Sequence, residues 1–348
     1  GAWCGAFGLA LGLRVAPWLG GTAGKPERSG LRRASATRRT ARLPLLALLL
    51  LSAPLLLLPA APVAAQSTPE AVQSELEVLR DRYGFPGATA AWATGDGASG
   101  VVAAGVAEVE TGRAMPTDAR MLAGSIGKTF VAAVLLGLDR DGALDLDDPV
   151  ARWLGGRPWF QRIPHGPAIT LRHLLTHTSG LRDHVHEPAF QGAWARRWPA
   201  PGPPIPPDSL VGFVLDRAAL FAPGEGWAYS DTGYLILGMV VEEAAGRGVS
   251  EEIEARFLEP LGLTSTGPSD RRVLPGLVPG YVDPDNPFGL PRRTTSAGDT
   301  MAWHPGVEGA GGGLVSTALD LARWAAALYR GRALDAPYLE ELLQARPV

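Results

Sequence analysis

The sequence predicts an α+β fold in which a mainly helical part covers a small antiparallel sheet. Two alternating segments, residues 87–94 and 101–107, flank Gly95-Asp-Gly97 and predict a β-hairpin near the start of the domain. Most of the remaining chain has the apolar spacing of amphipathic helices. The predicted helices cover residues 69–83, 125–136, 170–177, 208–217, 231–245, 250–258, 317–330 and 337–345. Because two strands alone do not form a stable sheet, we expect the helices or further strands to cover them.

The first 65 residues differ in composition from the rest and predict a leader. Residues 43–61 form a leucine-rich apolar run, which five arginines precede and Val63-Ala64-Ala65 follows. This is the order of an export signal with a small-residue cleavage site, so residues 32–65 are interpreted as a signal peptide and the protein as secreted or periplasmic. The alternative is an uncleaved anchor that associates residues 43–61 with a membrane. Residues 1–31 are interpreted as an unassigned leader or a start-site artefact.

Composition and charge exclude two classes of protein. The chain has 348 residues, of which 46% are hydrophobic and 19% are charged, and this suits a globular enzyme. Residues 1–65 carry eight Lys or Arg and one Glu, so residues 66–348 have a net charge of about −10. A domain this acidic is a poor binder of nucleic acid. Cys4 is the one cysteine, which excludes an internal disulfide and a cysteine-based metal cluster.

Lys128 is the one lysine outside the leader, whereas thirty arginines supply the other basic charges. A lysine loses its proton when burial lowers its pKa, which an arginine does not do. Ser125 precedes Lys128 by three residues, so on a helix the hydroxyl and the amine share one face. The pair therefore predicts a serine nucleophile beside a basic amine that sheds its proton.

Three later segments strengthen this prediction. They are Leu171-Arg-His-Leu-Leu-Thr-His177-Thr-Ser-Gly-Leu181, Pro223-Gly-Glu-Gly-Trp-Ala-Tyr229-Ser230-Asp231-Thr-Gly-Tyr234-Leu-Ile-Leu-Gly238 and Gly309-Ala-Gly-Gly-Gly313-Leu-Val-Ser316-Thr-Ala-Leu-Asp-Leu-Ala-Arg-Trp324. In this order and spacing the four segments resemble the serine β-lactamase-related family of class C β-lactamases, low-molecular-weight penicillin-binding proteins and esterases. The match runs over residues 69–347. The resemblance implies a β-lactamase/transpeptidase-like domain over residues 66–348.

The resemblance also implies roles for individual residues. Ser125 is expected to be the acylated nucleophile, with Lys128 as its partner and Tyr229 as the tyrosine of the family's Tyr-x-Asn motif. Whether Lys128 or a Tyr229 phenolate takes the serine proton stays open. The implied substrate is a small-molecule or peptidoglycan-like acyl compound, namely a D-alanyl peptide, a β-lactam or an ester. No cofactor and no metal are expected, and the protein is expected to be a monomer.

Two departures from the family pattern stand out. Asp231 occupies the position of the motif's asparagine and is retained as a fourth catalytic residue. An ionised carboxylate accepts hydrogen bonds only, and it favours a protonated Lys128. The second departure is that no Lys-x-Gly or His-x-Gly motif follows the helix predicted at residues 317–330. We therefore expect a truncated domain whose C-terminal strands are missing and whose sheet is incomplete. The resemblance implies that the backbone after this motif supplies the second hydrogen-bond donor to the oxyanion that forms during the reaction. Loss of one such donor slows the reaction by around 10²–10³.

Other interpretations were weighed against this one. His173 and His177, together with Asp183, His184 and His186, have residue types that bind metals, but the resemblance makes their segment a structural helix end. Gly127-Lys128-Thr129 resembles the end of a P-loop, but that motif needs a glycine where Leu122 stands. The glycines at 311–313 are expected to form a close-packing turn.

A non-catalytic binding module on the same fold remains the main alternative, because of Asp231 and the missing third motif. Residues 198–207 are too rich in proline for regular structure. Substrate specificity is expected to lie in the segments 182–207 and 263–308, both interpreted as loops.

Overall fold

Helix α1 (Pro69–Tyr83) opens the part of the chain that the computed structural model describes, residues 68–344 without 199, 201, 284, 285 and 287. Thr68 caps this helix, since its hydroxyl accepts a hydrogen bond from the Ala71 N–H. Gly84 ends it in the left-handed conformation at φ 68°, which costs glycine little. The helix has the bounds that the sequence predicts.

The predicted leader and membrane segments lie outside the described residues, and the leader interpretation stays a prediction. Within residues 68–344, no described helix combines the length and the apolar character that crossing a membrane requires.

The predicted hairpin is present. Strand β1 (Gly87–Ala93) pairs antiparallel with β2 (Ser99–Glu108), so that Gly87 lies opposite Gly105, and β3 (Arg113–Ala114) pairs with the other edge of β2. Leu76 of α1 packs on the buried Val102 and Ala104 of β2. Helix α1 therefore covers the hairpin, as expected for strands that cannot stand alone.

Helices supply most of the remaining regular structure. They are α2 (Gly127–Arg140), α3 (Ala151–Leu154), α4 (Leu171–Leu175), α5 (Pro188–Arg197), α6 (Pro207–Val211), α7 (Asp231–Ala245), α8 (Val249–Ile253), α9 (Glu259–Leu261), α10 (Ala318–Tyr329) and α11 (Tyr338–Leu343). Helix α10 packs against β1 and β2 and thereby connects the hairpin with the helical part. The predicted α+β class is confirmed.

A second sheet lies beside the helices. Strand β8 (Leu314–Ser316) is its centre, with β4 (Met121–Leu122) and β5 (Gly267–Pro268) antiparallel on either side. The short pair β6 (Thr295–Ala297) and β7 (Thr300–Met301) forms a separate hairpin. Three of these strands lie in the segment 263–308 that the sequence predicts to be a loop. The difference arises because such short strands show no alternation in the sequence, and β5 pairs with the distant strand β8.

Two other segments differ from the prediction. Helix α6 ends at Val211 instead of residue 217, because one 3₁₀ turn follows and Asp216 takes a left-handed φ of 58°. Helix α5 lies inside the segment 182–207 that was interpreted as a loop. Pro188 begins this helix, where its missing N–H costs nothing, and the buried Phe190 and Trp194 anchor it. Whether the sheet lacks further strands stays a prediction.

The main core lies between α2 and α7, which pack against each other. Phe130 of α2 is fully buried and stacks on Trp324 of α10, with the ring centroids 3.9 Å apart. On α7, Leu237 and Val240 are also fully buried. These two helices matter for function, because α2 carries Lys128 and α7 begins at Asp231.

Candidate active site

Ser125 lies in a single 3₁₀ turn, Gly124–Ile126, that leads directly into α2, and its side chain is exposed. The turn is held against the glycine segment 311–313. A Cβ atom on Gly127 would lie 3.0 Å from the Cα atom of Gly312, and a Cβ atom on Gly312 would lie 2.6 Å from the Gly124 carbonyl oxygen. Side chains at these positions would push the segments apart, so the glycines form the close-packing turn that was expected.

The structure brings the four predicted residues together. The Ser125 Oγ atom lies 2.6 Å from the Tyr229 hydroxyl and accepts a hydrogen bond of 3.3 Å from Lys128 Nζ. Lys128 also donates to Asp231 Oδ1 and to the Gly311 carbonyl oxygen. Lys128 is buried, with 6% of its surface exposed, so the ion pair with Asp231 is shielded from water.

The pKa of Lys128 reflects opposing effects of burial and of neighbouring groups. Burial lowers the pKa of the Lys128 ammonium, as expected, whereas the charge of Asp231 and its hydrogen bond to Nζ raise it. The net effect raises the pKa of Lys128 above its usual value. This direction favours an ammonium ion at Lys128 in the resting site, and the amine that sheds its proton stays a prediction. The expectation that Asp231 favours a protonated Lys128 is confirmed.

Tyr229 is also protonated at rest. Burial raises the pKa of its phenol, Asp231 raises it further, and Lys128 acts in the opposite direction. The hydroxyl lies 3.5 Å from Asp231 Oδ1, and the ring faces Lys128 Nζ at 4.9 Å from its centroid. Tyr229 is 38% exposed and thus stands between the solvent and the buried ion pair.

The side chain of His177 packs against the ring of Tyr229. Its backbone takes a left-handed φ of 58°, and its Nδ1 atom accepts a hydrogen bond of 3.2 Å from the Ser230 N–H. The imidazole ring lies 4.5 Å from the ring of Tyr229 and 5.2 Å from that of Tyr234. Burial and the positive charge of Lys128 lower the pKa of His177 to about 4. The neutral ring is therefore a packing surface for Tyr229.

His173 lies apart from this contact, at the start of α4, where its Nδ1 atom accepts from the Thr170 N–H at 3.2 Å. Within the described part of the chain, no group of three or more His, Cys, Asp or Glu side chains is arranged to hold a metal ion.

The segment after His177 holds the start of α7. His184 donates its backbone N–H to the Thr232 hydroxyl at 2.9 Å, and its Nδ1 atom lies 3.0 Å from the same oxygen. Asp183 Oδ1 accepts a hydrogen bond of 3.2 Å from the Val185 N–H. Burial and the charge of Asp231 raise the pKa of Asp183 to about 6. The sequence offers Asp183 and His184 as possible metal ligands, and it does not predict their place beside the start of α7.

Glu308 is a further acidic residue beside the site. Its Oε2 atom lies 3.1 Å from the position that a Cβ atom on Gly312 would take. Burial and the charge of Asp231 raise the pKa of Glu308 to about 7, while Lys128 acts to lower it. Nothing in the spacing of the sequence indicated Glu308, because it precedes the glycine segment as a single unpatterned acid.

An exposed serine hydroxyl in contact with a lysine and a tyrosine, at the start of a buried helix, is the arrangement of a serine acyl-transfer site. The chain belongs to the Beta-lactamase family, whose model matches residues 72–347. The family that the four segments resemble is thereby confirmed.

Three relatives show the range of this similarity. The chain is 30% identical over 216 residues to penicillin-binding protein 4* of Bacillus subtilis (strain 168), which is 61% of this chain and 44% of the relative. It is 37% identical over 171 residues to esterase EstB of Burkholderia gladioli, with 47% and 42% covered. The structure of a D-stereospecific amidohydrolase from Streptomyces sp. matches with a TM-score of 0.66 and 33% identity, covering 80% of this chain and 77% of the other. The chain thus spans less than half the length of the two curated relatives.

Proposed function

We propose that this chain is an exported serine acyl hydrolase that forms an acyl-enzyme on Ser125. The observation that carries the proposal is the contact of Ser125 Oγ with both the Tyr229 hydroxyl and Lys128 Nζ. A hydroxyl held by two groups that transfer or stabilise protons is an activated nucleophile. The sequence-based expectations of export and of a monomeric state are kept as parts of the proposal.

The reaction follows from this geometry. Ser125 Oγ attacks the carbonyl carbon of the substrate as its proton leaves through the hydrogen bonds of the site. The Ser125 N–H, in the turn before α2, donates to the oxygen that becomes negative. The buried charge of Lys128 lies beside the nucleophile and stabilises the negative charge that develops there. Tyr229 returns a proton to the leaving group, and water then cleaves the ester on Ser125.

The substrate is proposed to be a D-alanyl peptide, a β-lactam or a small ester. The names of the relatives, which are a penicillin-binding protein, an esterase and a D-stereospecific amidohydrolase, support this range. Trp227 adds an apolar surface beside the site. It precedes Tyr229 by two residues in an extended segment, is 51% exposed, and its ring lies 6.1 Å from that of His177. An aromatic surface of this kind suits the apolar part of an acyl compound.

Labelling of the purified chain with a fluorescent penicillin and with a fluorophosphonate tests the proposal. The intact chain should react at Ser125, and the Ser125→Ala variant should not. A matched control is Ser296→Ala, since Ser296 is an exposed serine of β6. Equal labelling of the intact chain and the Ser125→Ala variant would exclude Ser125 as the nucleophile. No labelling by either probe would favour the alternative, a non-catalytic binding module on the same fold.

A further inference from the structure

We propose that Asp231 is the final proton acceptor when Ser125 is acylated, and that the proton reaches it through the Tyr229 hydroxyl. Lys128 remains an ammonium ion throughout this step. The inference rests on the proposed function and assigns a role to the residue that departs from the family's Tyr-x-Asn motif. An asparagine at this position has no basic oxygen that could hold the proton, whereas a carboxylate does.

The first support is a continuous line of oxygen atoms. Ser125 Oγ lies 2.6 Å from the Tyr229 hydroxyl oxygen, and that oxygen donates to Asp231 Oδ1 at 3.5 Å. The serine is closer to the tyrosine than to Lys128 Nζ, which lies 3.3 Å away. In the proposed relay Ser125 donates to Tyr229 along this shorter contact, and the 3.5 Å contact between Tyr229 and Asp231 shortens as the proton moves.

The second support is the surroundings of Lys128. Its Nζ atom donates to the Asp231 carboxylate and to the Gly311 carbonyl oxygen, two groups that only accept hydrogen bonds. Its third hydrogen bond goes to Ser125 Oγ. An ammonium ion has three protons and satisfies all three partners. In this state Lys128 stabilises the alkoxide character that develops on Ser125 without accepting a proton.

The third support is the set of charges around Asp231. Lys128 and Tyr229 face it directly, and Asp183 and Glu308 lie close enough for their charges to interact with it. The rings of His177 and His184 also lie within electrostatic range, and burial keeps both of them neutral. Among these groups, the Tyr229 hydroxyl is the neutral donor that faces the Asp231 carboxylate.

The step conserves protons and electrons. As the Ser125 Oγ–carbon bond forms, the carbonyl π electrons move to the substrate oxygen. The serine proton moves to the Tyr229 oxygen, and the phenolic proton moves to Asp231 Oδ1. When the bond to the leaving group breaks, the proton on Asp231 returns through Tyr229 to the leaving group, and the site regains its starting charges.

The rate of fluorophosphonate labelling of Ser125 at pH 7 and at pH 9 tests the relay. The intact chain should react at rates that agree within about twofold, because no group of the relay has to lose a proton before the reaction. If a neutral Lys128 or a Tyr229 phenolate were the base, the rate would rise about 100-fold, since each is protonated at both pH values. Such a rise in the intact chain would overturn the proposal.

Two variants complete the test. Asp231→Asn removes the proposed acceptor and leaves Lys128 and Tyr229 as the remaining bases, so its labelling rate should depend on pH between pH 5 and pH 9, where that of the intact chain should not. Lys128→Arg keeps the charge and should retain measurable labelling with a flat pH dependence. Asp118→Asn, at an exposed aspartate, serves as the control and should match the intact chain.

Each outcome separates the relay from the proposed function. A labelling rate of Asp231→Asn that is as independent of pH as that of the intact chain would overturn the relay and leave the serine hydrolase in place. Complete loss in Lys128→Arg, with an unchanged circular dichroism spectrum and melting temperature, would also overturn it. An intact chain whose Ser125 is unlabelled at both pH values would overturn the proposed function together with the relay.

Discussion

The Ser125 Oγ atom and the Tyr229 hydroxyl oxygen lie 2.6 Å apart, although 104 residues separate them in the chain. Two separate segments meet at this contact. A 3₁₀ turn at the start of α2 carries the serine, and a segment without regular structure before α7 carries the tyrosine. Any change that shifts one of them should reduce the reactivity of Ser125.

Replacement of the tyrosine tests the contact directly. Tyr229→Phe keeps the ring on His177 but removes the hydroxyl, so labelling of Ser125 by a fluorophosphonate should slow by about 10²–10⁴. The rate of labelling under excess probe is the measurement. Tyr329→Phe removes a hydroxyl from an exposed tyrosine on α10 and should leave the rate unchanged. A Tyr229→Phe variant as fast as the intact chain would show that the phenol takes no part.

Close packing of the glycine segment should be required for both stability and reactivity. A Cβ atom in Gly312→Ala would lie 2.6 Å from the Gly124 carbonyl oxygen, so the backbone before Ser125 must move. We expect a loss of about 1–3 kcal/mol in the free energy of unfolding, measured by urea denaturation, together with slower labelling of Ser125. Gly156→Ala is the control, because a Cβ atom there meets no atom within 4 Å. Equal stability of the two variants would contradict this account of the turn.

Glu308 should make stability depend on pH near neutrality. Its pKa is raised to about 7 in the folded protein from an ordinary value of 4.5, so the folded state binds the proton more tightly than the unfolded state. The contribution of Glu308 to stability therefore falls as the pH rises from 4.5 to 7 and stays low above that. Glu308→Gln should raise the melting temperature at pH 8 more than at pH 5. Glu254→Gln, at an exposed glutamate, should show no such difference between the two pH values.

His177 should reduce the stability of the folded protein at acidic pH. Its pKa is lowered to about 4 from an ordinary value of 6.5, so the folded state resists protonation and loses stability as the pH falls from 6.5 to 4. His177→Gln should reduce this loss of melting temperature between pH 7 and pH 5, although His184 retains a similar contribution. His165→Gln, at an exposed histidine, should melt with the pH dependence of the intact chain. An unchanged pH dependence in His177→Gln would contradict the assignment.

The local structure of the main elements could be predicted because short-range signals specify them. Thr68 and Gly84 mark the two ends of α1, and Ser230 caps α7 by accepting a hydrogen bond from the Gly233 N–H. Helix α5 was missed because its two anchors, Phe190 and Trp194, are buried in a cluster that is completed by distant residues such as Leu235 and Met301. The strands β5, β6 and β7 were missed because they are too short to alternate.

The sequence by itself determined the family, the helix that carries Ser125 and Lys128, and the four residues to examine, because these depend on residue type and local spacing. The tertiary structure alone decided the surroundings that set the charge of Lys128. Its pKa reflects a balance between burial and the nearby charge of Asp231, and the two residues are 103 positions apart in the chain. For the same reason only the folded protein revealed Glu308 and the supporting ring of His177. Electrostatic forces act through space, and no local pattern in a sequence records them.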